Sequence, residues 1–164
     1  MKKLLVSACL LGNPVRYDGK AKYLQHTGLA ALVAQERVVG FCPEVAGGLP
    51  IPRAAAEIRA GDGAAVIAGR ASVLTGDGSD VTPYFLSGAN QALELCRQQN
   101  IRVAVLTESS PSCGSGSIYD GSFSRRSIPG TGVTAALLQR HGIRVFNQHQ
   151  LDAALALLES DRIE

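Results

Sequence analysis

Four cysteines stand at positions 9, 42, 96 and 113 of the 164-residue sequence, and they are not equivalent. Cys42 lies in Phe41-Cys42-Pro43-Glu44-Val45-Ala46-Gly47-Gly48-Leu49-Pro50-Ile51-Pro52-Arg53, a run with rigid prolines, bare-backbone glycines and a carboxylate two residues on. Cys113 lies in Ser109-Ser110-Pro111-Ser112-Cys113-Gly114-Ser115-Gly116-Ser117, which is rich in hydroxyls and free N–H donors. Segments of this composition suit the close approach of a ligand. Simple thiol schemes fail on spacing. A phosphatase-type loop needs Arg at the sixth position after Cys, where Cys9, Cys42 and Cys113 have Val15, Gly48 and Tyr119. No Cys-x-x-Cys pair supplies a thioredoxin-like or ferredoxin-type motif. His26, His141 and His149 fall outside these turns and read as surface residues, which leaves a Cys-His dyad weakly supported. What remains is a metal centre with three thiolates. A four-iron cubane on three cysteines keeps one iron free of protein ligand and able to act as a Lewis acid, while zinc with three cysteines and a water is also chemically possible. Spacing alone leaves both open.

For Cys9, Cys42 and Cys113 to meet across intervals of 33 and 71 residues, the fold must bring distant turns to one place. Short runs rich in Val, Ile and Leu read as buried parallel strands: Leu4 to Val6, Val38 to Phe41, Val103 to Leu106 and Ile143 to Phe146. Helical patterns separate them. Leu29, Leu32 and Val33 form one apolar face; Phe85, Ala89, Ala92, Leu93 and Cys96 form another, with Thr82 as N-cap and Pro83 at the first helical position. Leu137 and Leu138 sit in a helix that Gly142 ends, and Leu151, Leu155 and Leu158 mark a last one. Alternating strands and helices predict an α/β fold, a single Rossmann-like, doubly wound domain over 1–164 with a mainly parallel sheet. Ala64 to Ala68 and Ala71 to Leu74, joined through Gly69-Arg70, predict a small β-hairpin insertion on one edge. In such a sheet the loops leaving the carboxyl ends of the strands line the ligand crevice. Cys9, Cys42 and Cys113 follow the first, second and third strands, whereas Cys96 falls on an apolar helix face and acts as a small hydrophobe.

Composition narrows the partners. The hydrophobic fraction of 46% against 18% charged residues is enough for a core and far from a disordered composition. Sixteen basic and 14 acidic residues, 5% aromatics and no Trp provide neither a dense basic patch nor a stacking platform, so no nucleic-acid partner is expected. Val6-Ser7-Ala8-Cys9 after Lys2-Lys3 imitates a lipoprotein cleavage site, but Leu4, Leu5 and Val6 fall short of the roughly 7–15 apolar residues a signal needs. No stretch approaches the roughly 20 apolar residues of a membrane span. The expected setting is cytoplasmic, with reduced thiols and no membrane partner. The sequence assigns no oligomeric state.

Four blocks, in order along nearly the whole chain, carry a resemblance. They are Ser7-Ala8-Cys9-Leu10-Leu11-Gly12 with Val15-Arg16-Tyr17-Asp18-Gly19; Cys42-Pro43-Glu44 with Gly47-Gly48-Leu49 and Pro52-Arg53; Ser110-Pro111-Ser112-Cys113-Gly114 with Ile118-Tyr119-Asp120-Gly121; and Gly132-Val133-Thr134-Ala135. Together they resemble the bacterial thiouracil desulfurase family. The segment Thr107-Glu108-Ser109 departs from the family pattern, in which a lysine is frequent. The resemblance implies an oxygen-sensitive [4Fe-4S] cluster held by Cys9, Cys42 and Cys113, and removal of sulfur from a thiolated pyrimidine, with no net redox change, to give uracil and hydrogen sulfide. A thiocarbonyl sulfur is a soft ligand suited to an open iron, and the attacking water needs a base. Glu44, the carboxylate inside a cysteine loop, is the candidate base, and Ser110 the residue that orients base or substrate. Ser112 and the Gly47-Gly48 backbone are candidate pyrimidine contacts. Arg16, Asp18 and Asp120 read as ion-pair partners. The rivals are a non-catalytic iron–sulfur or zinc protein that senses redox state or carries a cluster, and a thiol enzyme without metal.

Overall fold

The computed structural model describes residues 1–160; the last four residues of the expected 1–164 domain lie outside the described residues. Its centre is a sheet of four parallel strands, β1 (Leu4–Ser7), β2 (Val38–Phe41), β5 (Val103–Val105) and β8 (Arg144–Phe146), in the order β2-β1-β5-β8. Leu4 aligns with Val38 on one side and Val103 on the other, and Val103 with Arg144. Burial follows position in this order. The inner strands β1 and β5 are fully buried, which explains their unbroken apolar runs, whereas β2 and β8 are edges and are only partly covered.

Alternating side chains send the inner strands into two apolar clusters, one on each face. Leu5 and Ala104 join Phe85, Ala89, Ala92, Leu93 and Cys96 of α4 (Thr82–Gln98) and Ala135, Leu137 and Leu138 of α5 (Val133–Arg140). Leu4, Val6, Val103 and Val105 meet Leu29 and Leu32 of α1 (Thr27–Ala34) and Leu151, Ala154 and Leu158 of α6 (Leu151–Leu158). The apolar spacing read for α4 is therefore its buried face. Val33, expected on the buried face of α1, is 50% exposed. Helix α4 also starts one residue early, capped at Val81; the Thr82 hydroxyl accepts the Val73 N–H at 2.9 Å and joins the helix to the neighbouring strand.

The insertion differs from its expected form. Ala64 to Ala68 is not a strand: Gly63–Ile67 forms a short helix, α3, capped by Asp62, whose Oδ1 accepts the Ala65 N–H at 3.1 Å. The cap outweighs the β-branched Val66 and Ile67. The hairpin instead pairs β3 (Ala56–Arg59) with β4 (Ser72–Thr75), antiparallel. A second, unforeseen pair, β6 (Ser117–Tyr119) and β7 (Ser127–Pro129), lies in the segment after β5. No helix among the described residues is long and apolar enough to cross a membrane.

Candidate functional site

A cleft of about 340 Å³ opens at the carboxyl ends of β1, β2 and β5, and Cys9, Cys42 and Cys113 all line it. Strand order puts it there. The chain leaves β1 toward β2 on one side and leaves β5 toward β8 on the other, so the loops diverge and open a crevice between them. Cys9 lies in a 3-10 turn, Ala8–Leu11, directly after β1. Cys42 precedes α2 (Pro43–Ala46), where Pro43 fits the first turn of the helix and Glu44 follows it. Cys113 lies in the loop after β5, which is tied to α5 by hydrogen bonds from the Val133 and Ala135 N–H groups to Pro111 and Ser112 carbonyls at 2.8 and 3.0 Å. All four cysteines are free thiols, and Cys96 is buried on α4 away from the cleft.

The cleft holds its carboxylate firmly. Glu44 Oε1 accepts from Arg53 Nε at 3.2 Å, and Oε2 accepts from Ser112 Oγ at 3.0 Å and Ser110 Oγ at 3.4 Å. The side chains of Arg53 and Glu44 are 6% and 15% exposed. Ser110 Oγ also accepts the N–H groups of Ser112 and Cys113, both at 3.2 Å, and so shapes the turn that carries the cysteine. Of the eight residues read from the sequence as site residues, Cys9, Cys42, Cys113, Glu44, Ser110 and Ser112 share this cleft. Gly47 and Gly48 are not among its lining residues. A Cβ at Gly47 would lie 2.0 Å from the Tyr84 carbonyl oxygen, and Gly48 has φ +110° against the Tyr84 ring. Their bareness lets α2 pack closely on α4.

The sequence reading gave no role to several residues that the site uses. Arg53 secures Glu44 and also donates to the Pro50 and Val15 carbonyls at 3.1 and 3.2 Å, which ties three segments together. Glu108 Oε1 collects the N–H groups of Ser115, Gly116 and Ser117 at 3.0–3.3 Å, and its Oε2 accepts from Asn147 Nδ2 at 2.7 Å. Thr107 Oγ1 lies 2.9 Å from Cys9 Sγ. Partners of this kind are far away in the chain and leave no local pattern. Arg16, Lys22 and Arg125 with Tyr17, Tyr119 and Phe123 also line the cleft. Arg16 and Asp18 do form the expected ion pair, at 3.9 Å, as do Arg126 and Asp120.

Burial pushes the Cys113 thiol up to about 12, helped by the charges of Glu44 and Cys42 and opposed by hydrogen bonds from Ser112 and Ser7. Burial also raises Cys42, and Glu44 adds to the rise, against the Val45 N–H and Arg53. Sulfurs this reluctant to ionise become good ligands only beside a strong local positive charge, which bound metal supplies. Among the described residues, no three His, Cys, Asp or Glu side chains are grouped to hold one metal ion. Three soft sulfurs lining one cleft are a donor set that suits an iron–sulfur group.

Comparison with known proteins points to a family and a cofactor. The family model of the 2-thiouracil desulfurases matches residues 4–150. An uncharacterized Bacillus subtilis (strain 168) protein, YbbK, is 42% identical over 152 residues, which cover 93% of this chain and 99% of the relative. A solved structure described as a [4Fe-4S]-dependent thiouracil desulfidase, TudS, is 52% identical and superposes with a TM-score of 0.88, covering 96% of this chain and 98% of that one.

Proposed function

This chain belongs to the 2-thiouracil desulfurase family, and from that premise we propose that it is a [4Fe-4S]-dependent enzyme that converts a thiolated pyrimidine such as 2-thiouracil into uracil and hydrogen sulfide. Cys9, Cys42 and Cys113 would hold the cluster. One observation carries the reading: in a cleft lined by all three sulfurs, Glu44 is pinned by Arg53 on one oxygen and by two serines of the Cys113 loop on the other. When bound, a cluster with three protein ligands leaves one iron open and supplies a Lewis acid for the thiocarbonyl sulfur.

The protein's own groups do the rest. Glu44 accepts a proton from the attacking water and passes it to the departing sulfur. A carboxylate offers about four lone-pair sites, two on each oxygen; the two serines occupy those of Oε2 and Arg53 one of Oε1, which leaves a site on Oε1 for the water. Ser110 and Ser112 hold Oε2, and Arg53 fixes the carboxylate from its other side. The water oxygen replaces sulfur on carbon, two protons leave with the sulfur as hydrogen sulfide, and no electrons are gained or lost. Tyr17, Tyr119 and Phe123 offer flat apolar faces to a heterocycle. The fold reading that accompanies this is a single Rossmann-like, doubly wound domain, supported by apolar clusters on both faces of the sheet and by the strand order. Four free cysteines suit a reducing, cytoplasmic setting.

The test is anaerobic reconstitution with iron and sulfide, followed by an absorption spectrum, an iron count and sulfide release from 2-thiouracil. The expected result is about four irons per chain, lost on Cys→Ala at 9, 42 or 113 and retained at 96. Retention of no iron by the wild type refutes the reading.

A further inference from the structure

Thr107 follows β5 and is 7% exposed, yet the chemistry above gives its hydroxyl nothing to do. Among the described residues, the hydrogen-bond partner of Thr107 Oγ1 is Cys9 Sγ, at 2.9 Å. The geometry is fixed from the backbone: the Thr107 N–H donates to Ser7 Oγ at 3.0 Å, locking the end of β5 to the end of β1, its neighbour in the sheet. We propose that Thr107 is a positioning residue whose hydroxyl donates a hydrogen bond to the Cys9 thiolate and thereby sets the electron affinity of the metal centre that Cys9 helps to hold. The inference rests on the proposed iron–sulfur function. A metal-bound thiolate carries no proton, so in this pair the oxygen is the donor. A hydrogen bond to a ligating sulfur draws electron density away from the iron, which raises the reduction potential and makes an open iron more electrophilic. The two strand ends are thus joined twice, by the Thr107 N–H to Ser7 Oγ and by Thr107 Oγ1 to Cys9 Sγ.

Thr107→Val removes the hydroxyl at nearly constant shape, and Thr107→Ser keeps it. Both are compared with the wild type after anaerobic reconstitution, with the midpoint potential read from a redox titration followed by electron paramagnetic resonance. The expected outcome is a lower potential in Thr107→Val, with iron loss to a chelator about tenfold faster and kcat reduced while KM is little changed. Thr107→Ser stays near the wild type on every readout. Should Thr107→Val not fold, the Thr107→Ala and Thr107→Ser pair makes the same comparison. A valine variant with full iron and the wild-type potential overturns the inference, as does an equal fall in the serine variant. A wild type that binds the cluster but releases no sulfide overturns the proposed reaction and leaves the comparison of potentials readable; a wild type that binds no iron overturns both.

Discussion

Glu44 is held by groups nine residues away in its own loop and 66 and 68 residues away in another. That anchoring is what a base must have to meet its water in one orientation. Glu44→Gln keeps the shape and loses the basicity. It is expected to reduce sulfide release by about 10²–10⁴-fold while the reconstituted absorption spectrum and iron count stay as in the wild type. Retained activity with an intact cluster would remove Glu44 from the mechanism. Arg53→Met breaks a nearly buried pair and leaves the carboxylate uncompensated, a change expected to cost about 3 kcal/mol in denaturant unfolding. That Cys42, Cys113, Glu44, Ser110 and Ser112 reach one cleft could be read from segments whose Gly, Pro and Ser content marks shaped loops, and that Cys9 joins them from its place after the first strand. Arg53 and Thr107 could not be read, because a role set by a contact 9 or 98 residues away leaves no signature at the residue itself. Gly47 and Gly48 show what composition leaves open: a missing Cβ admits a ligand and a helix equally well.

Between elements, the decisive contact is α2 on α4. A Cβ at Gly88 would sit 2.0 Å from the Pro43 carbonyl oxygen, as one at Gly47 would from Tyr84. Gly88→Ala is therefore expected to push away the short helix that follows Cys42 and carries Glu44, at a cost of about 1–3 kcal/mol, read as a lower unfolding midpoint together with reduced iron retention. The loop after β5 depends instead on Glu108. Burial pushes its carboxyl up, but the N–H groups of Gly116, Ser117 and Ser109 and the Asn147 amide outweigh that and hold it below its ordinary value of 4.5. A carboxyl that binds its proton less readily when folded contributes stability that is complete above the unfolded value and is lost as pH falls through the lower folded one. Amide exchange at Ser115, Gly116 and Ser117, after correction for intrinsic rates, should accelerate as pH falls through that range, and Glu108→Gln should show fast exchange already at neutral pH. Unchanged exchange in the variant would mean that the loop does not rely on this carboxylate. At this scale the long amphipathic α4 and the inner strands could be read from periodicity. The hairpins were legible only in part: the strand read at Ala71 to Leu74 is β4, but α3 is too short for a period to register, and three-residue strands such as β6 and β7 carry no alternation to detect.

Across the whole molecule, three residues separated by 33 and 71 positions reach one cleft because the sheet order reverses between β1 and β5. Sequence order foretold the strands and so the side of the sheet on which their following loops emerge. It did not foretell which strands are neighbours, and that adjacency is what brings Cys9 and Cys113 together. The same geometry makes a group bound by all three sulfurs a cross-link between the ends of β1, β2 and β5, formed in the folded chain and not in the unfolded one. Binding confined to the folded state raises stability by mass action. The cluster-loaded protein is therefore expected to unfold several degrees above the same protein stripped of iron by oxidation and chelation, in anaerobic calorimetry. Cys96→Ala should lower both midpoints alike and preserve the gap, because its sulfur packs in the α4 face of the core. Cys9→Ala, Cys42→Ala and Cys113→Ala should each close the gap. If loaded and stripped proteins melt together, the iron is not bridging these strands, and the cleft must be bound through fewer of its sulfurs than the topology brings to it.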